Sequence, residues 1–120
     1  MKTTLLFIFL FLTSFLAIAD PTKSQFLGHW RHADENLSCD YTFAEDGTFT
    51  GNIAQHGTIV WMYAGKWSLA GDTLNYEFTK SSLEQIPVGT TDQDKIIEMT
   101  KDYYIIQARD GSRRKYSRVQ

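Results

Sequence analysis

The chain of 120 residues holds a single cysteine, Cys39, so no internal disulfide can form and the folded state depends on packing. Its one long apolar run, Leu5 to Ala19, has no counterpart further along, which excludes a second hydrophobic segment long enough to cross a membrane as a helix. No cysteine follows the small residues that close this run, where a bacterial lipoprotein would carry its lipid. Neither sign of charge dominates: 12 basic residues stand against 14 acidic ones, and nothing global points to nucleic acid. Also missing are a nucleophile on a recognisable elbow, a glycine-rich loop opening a helix, and the four-ligand spacing of a metal site. His29 and His32 fall on opposite faces of a strand, so one ion cannot reach both without a bend. These absences lead us to expect no metal, no cofactor and a binding role, not an enzymatic one.

What is present begins with an export signal. Lys2 precedes the apolar run, and Ala17-Ile18-Ala19 ahead of Asp20-Pro21 is a small-x-small cleavage site. Leu5 to Ala19 is 15 residues, short of the roughly 20 that a spanning helix needs. Cleavage after Ala19 would leave residues 20–120 as one secreted or periplasmic domain, without a stable membrane anchor.

After Gln25 the chain turns aromatic and β-branched, with turn signals at close intervals, the pattern of an antiparallel meander. A three-residue loop Glu45-Asp46-Gly47 sets Phe43 opposite Phe49 and Tyr41 opposite Gly51, keeping one face apolar. Gln55-His56-Gly57, read the same way, pairs Ile53 with Ile59, Gly51 with Trp61 and Phe49 with Tyr63. A two-residue Gly71-Asp72 turn pairs Leu69 with Leu74 and Trp67 with Tyr76, and sets Gly65 opposite Phe78. Lys80 to Gln93 reads as a long loop broken by Pro87, with a short helical turn around Ser81 to Gln85. Strands follow at Lys95 to Thr100, Tyr103 to Ala108 and Arg113 to Val119. Lys101-Asp102 pairs Met99 with Tyr104 and Ile97 with Ile106; a three-residue loop Arg109-Asp110-Gly111 pairs Tyr104 with Tyr116. A first strand at Phe26 to His32 brings the count to eight, enough to close a small up-and-down barrel with no unpaired edge.

Gly28-His29-Trp30 at the start, the Phe43 to Phe49 hairpin, Gly65-Lys66-Trp67, the Gly71 to Leu74 turn and an arginine in the last strand together resemble the small bacterial lipocalin-like families. The resemblance implies an all-β, eight-stranded antiparallel barrel. It implies that Gly28 and Trp30 plug one end and that Arg118 packs across the indole, with Arg114 the alternative. Loops of two or three residues leave little room for the deep cup of larger lipocalins.

Tyr41, Trp61, Tyr63, Trp67, Tyr76 and Tyr104 fall on the predicted inner face, where they either fill the interior or line a pocket. Arg114 also points inward and would suit an anionic headgroup. Two functions compete. One is an exported binding protein for a small apolar or amphipathic ligand. The other is a protein-binding module, such as an inhibitor of a secreted or envelope hydrolase, acting through Asp20 to Gln25. Small periplasmic inhibitors resemble this chain in Cys39 and in Trp67 to Asp72, although their second cysteine has no equivalent here.

Overall fold

Strand β1 (Gly28–Ala33) pairs with β2 (Leu37–Phe43), and each later strand pairs with the one before it: β3 (Thr48–Gln55), β4 (Thr58–Ala70), β5 (Thr73–Ser81), β6 (Thr91–Met99), β7 (Tyr103–Gln107) and β8 (Arg113–Arg118). β8 returns to β1 through Trp30 opposite Arg118 and Arg31 opposite Ser117, closing an antiparallel barrel. This computed structural model describes residues 20–120; the predicted export signal, residues 1–19, lies outside the described residues. The loops after β2, β4 and β6 gather at one end, here the lower, together with a one-turn helix α1 (Lys23–Phe26). The loops after β1, β3, β5 and β7 gather at the upper end.

Alternation carries the pattern into three dimensions. Phe43 lies opposite Phe49 and Tyr41 opposite Gly51, Leu69 opposite Leu74 and Trp67 opposite Tyr76, Met99 opposite Tyr104 and Tyr104 opposite Tyr116, all as the turn chemistry predicts. Side chains of one parity on each strand therefore meet inside, and the other parity faces solvent.

Two registers differ from the sequence reading. The β3–β4 hairpin turns on two residues, not three: His56 and Gly57 both adopt left-handed backbone, with φ of 49° and 84°, and Gln55 pairs with Thr58. A bulge between Ile53 and Ala54 then leaves Val60 unopposed, so Ile53 meets Trp61, Gly51 meets Tyr63 and Phe49 meets Gly65. Gly51 makes room for the Tyr63 ring, not for Trp61. A Cβ on Gly65 would overlap the Glu77 carbonyl oxygen, so the barrel wall closes tightly there. On β6, Ile96 and not Ile97 lies opposite Ile106, because a bulge leaves Ile97 without a partner.

Strand limits shift as well. β1 begins at Gly28, because Phe26 ends α1 and tucks its ring under the barrel, fully buried, edge-on to Phe43, Trp67 and Tyr104. β6 begins at Thr91, four residues before the predicted Lys95, which draws Asp92 and Asp94 into the barrel wall. The connection before it shrinks to residues 82–90. In place of a helical turn it makes two successive tight turns, Ile86 N–H to Leu83 and Thr90 N–H to Pro87.

Candidate functional site

The lower end is closed residue by residue. Trp30 is fully buried, and its indole N–H donates to the Phe26 carbonyl at 2.7 Å. The Arg118 guanidinium carbon lies 4.1 Å from the Trp30 ring centroid, and its nitrogens donate to the carbonyls of Leu27 (2.8 Å), Lys101 (2.9 Å) and Gln25 (3.1 Å). Gly28 has φ of 113°, and a Cβ there would press on this guanidinium at 2.9 Å. Stacking of this kind contributes about 1–2 kcal/mol where partly shielded from water. Arg114, the alternative partner, lies elsewhere: it is opposite Ile106, two inward positions above Arg118 on β8.

Above this plug lies a layer of phenols. Tyr41 is its hub, with ring centroids of Tyr63 at 5.3 Å, Tyr76 at 5.5 Å and Tyr116 at 5.7 Å, and Phe43 stacked beneath at 5.6 Å. Even so, Tyr41 stays half-buried. The Tyr63 hydroxyl donates to the Asp40 carbonyl at 2.8 Å. The Cys39 sulfur sits between the hydroxyls of Tyr63 (3.5 Å) and Tyr116 (3.7 Å), and burial pushes its thiol pKa up. A thiol in that setting is an inert packing group. Burial likewise raises the pKa of Tyr41, Tyr63, Tyr76, Tyr104 and Tyr116, so the layer is neutral phenol. The Tyr104 side chain is fully buried, yet its hydroxyl has no hydrogen-bond partner among the described residues.

The upper end is less buried and carries charge. Trp61 is half-buried, its indole N–H donating to the Ser81 hydroxyl at 2.9 Å and its ring 4.4 Å from Tyr63. Asp94, opposite Leu74, shares the inward face. Burial first, and then the Asp92 charge, push its carboxyl up to about 6, against the pull of the Tyr76 hydroxyl and Arg114. Burial works against the Arg114 charge, while Tyr116 and Asp94 favour it and leave its pKa raised. Asp92 is engaged by Arg109 at 3.6 Å, whereas no ion pair joins Asp94 to a basic residue among the described ones. The exposed large apolar side chains Ile59, Val60, Met62 and Val88 lie toward this end.

Of the residues singled out from sequence, Tyr41, Tyr63, Tyr76 and Tyr104 share the phenol layer, with Trp61 and Arg114 above it. Trp67 does not join them. It belongs to the plug, packed on Phe43 at 5.0 Å and Phe26 at 6.2 Å, with its N–H on the Ala44 carbonyl. Sequence reasoning missed Asp94, whose signal was the alternation Thr91-Asp92-Gln93-Asp94 leading into a buried Ile96. It gave no site role to Tyr116, the inward neighbour of Arg114. A separate groove of about 700 Å³ runs over the outer face of β1 to β5, where Asp40 is held by His29 (2.8 Å) and Arg31 (2.9 Å). None of the six predicted rings except Tyr63 borders it.

Neither a scan against protein-family models nor a search of curated proteins finds a match to this chain. Among solved structures, it is similar to a lipocalin-like protein from Bacteroides uniformis, with a TM-score of 0.58 and 14% sequence identity. The match covers 79% of this chain and 99% of the other. The chain thus has a lipocalin-like fold, as its turn motifs predict.

Proposed function

We propose that the chain is an exported binding protein that takes a small apolar or amphipathic ligand at the upper mouth of its lipocalin-like barrel. The asymmetry of the interior carries this reading: the lower end is sealed by Trp30 and Arg118, whereas Tyr41 in the phenol layer and Trp61 above it face inward and remain half-buried. Aromatic walls with a few polar groups at one rim suit a ligand whose body lies on the rings and whose head stays near water. The exposed Ile59, Val60, Met62 and Val88 extend that apolar surface outward. Export rests on Lys2 and the apolar run that ends at Ala17-Ile18-Ala19.

Binding is favoured over catalysis because the candidate nucleophiles are held in their unreactive forms: burial keeps the Cys39 thiol and the five inward phenols protonated. The inhibitor reading runs through Asp20 to Gln25, and the last of these residues is held at the base of the barrel. Gln25 accepts from Arg118, and Phe26, next in the chain, accepts from Trp30. Native mass spectrometry of the protein purified from its own host compartment tests the proposal. A bound small molecule lost on denaturation is the expected result. A bare mass, together with no binding of the neutral fluorophore N-phenyl-1-naphthylamine, would reject it.

A further inference from the structure

We infer that the mouth selects a small amphoteric ligand, with an amine directed to Asp94 and a carboxylate to Arg114 on an aromatic or apolar body. This deepens the binding reading above and rests on it. Asp94 on β6 and Arg114 on β8 flank β7, on the inward-facing set of positions, and each bears on the other's charge. They are nevertheless not joined as an ion pair, and Asp92 is already engaged by Arg109. Two opposite charges on one inward-facing set of positions that do not neutralise each other directly are a matched pair of docking points.

The charge balance decides the ligand class. A simple amine would be drawn to Asp94 but repelled by Arg114, and a simple acid the reverse, so neither gains much from a mouth whose inward charges nearly cancel. A molecule carrying both groups gains at both points. Beneath them the phenol layer supplies an aromatic floor, and the buried hydroxyl of Tyr104 completes the set. Its O–H has no partner among the described residues and is a spare donor for a polar atom of the ligand.

Three probes with the same phenyl body separate the charges: phenylalanine, 3-phenylpropionate and 2-phenylethylamine, each displacing N-phenyl-1-naphthylamine from the exported protein at pH 7.5. Phenylalanine should displace the fluorophore at about tenfold lower concentration than either singly charged probe, the gain from one added charge-assisted hydrogen bond. In Asp94→Asn the advantage over 3-phenylpropionate should vanish. In Arg114→Gln the advantage over 2-phenylethylamine should vanish. Both variants should keep a cooperative thermal transition by circular dichroism, which shows that the barrel is intact. Equal displacement by all three probes, with the fluorophore bound, overturns the inference and leaves the binding reading standing. No fluorophore binding and no heat on adding phenylalanine overturns both.

Discussion

Each end of the barrel uses a tryptophan and an arginine, with different results. At the lower end the indole of Trp30 and three nitrogens of Arg118 find backbone carbonyls, from Gln25, Phe26, Leu27 and Lys101, because α1 and the β6–β7 loop bring uncommitted carbonyls under the barrel. At the upper end Trp61 meets a serine hydroxyl and Arg114 meets no carboxylate, since residues 82–90 spend their hydrogen bonds on their own turns and on β4 and β5. A residue type therefore does not decide between plug and mouth. The supply of backbone acceptors around it does, and that supply depends on the connecting segments.

Substitutions should expose this contrast most strongly at Trp30. Trp30→Ala removes a fully buried indole and its hydrogen bond and should cost about 3–5 kcal/mol, abolishing or sharply lowering the thermal transition followed by circular dichroism. Trp61→Ala should cost about 1–2 kcal/mol, because that ring is already partly exposed. Equal losses would mean that the two ends are equivalent. The arginines sharpen the comparison: Arg118→Ala should lose about 2–3 kcal/mol in urea denaturation, through stacking and three backbone contacts, against less than about 0.5 kcal/mol for Arg114→Ala.

Asp94 gives the contrast a pH signature of opposite sign. Its folded-state pKa of about 6 lies above the ordinary carboxylate range, so the barrel carries the strain of a charged Asp94 above pH 6 and sheds it as pH falls from 6 towards 4. Asp94→Asn should therefore stabilise the protein at pH 7.5, by on the order of 1 kcal/mol after allowing for solvent at the mouth, and should have no effect at pH 4. Destabilisation at pH 7.5 would show that Asp94 holds the fold together. The smallest effect belongs to Tyr104→Phe, which deletes an unpartnered hydroxyl and should change stability by less than about 0.5 kcal/mol, or raise it. A loss above 1 kcal/mol in a melting comparison would reveal a hidden partner.

The lower end was the more legible in sequence. Gly28-His29-Trp30 and Arg118 were placed by resemblance, and the turns at residues 45–47, 71–72, 101–102 and 109–111 announce themselves in glycine and aspartate flanked by matching apolar residues. The β3–β4 register was not legible, because pairings that differ by two residues keep the same faces, and Ile53 accepts Ile59 or Trp61 equally well. Only the bulge at Val60 decides, and a bulge has no composition of its own. Ile96 and Ile97 posed the same ambiguity with identical side chains. Asp94 escaped because a carboxylate on the inner face contradicts the apolar pattern used to find strands, and such contradictions gather where a barrel binds rather than packs.

Three indole N–H groups report on the whole claim at once: Trp30 and Trp67 in the plug, Trp61 at the mouth. Their resonances, followed in a nitrogen–proton correlation spectrum while N-phenyl-1-naphthylamine is added, test directly where a ligand sits. The account predicts that the Trp61 signal moves and saturates while those of Trp30 and Trp67 stay in place. Movement of the Trp30 or Trp67 signal with Trp61 unchanged, or no movement at all, would contradict a sealed base and a binding mouth.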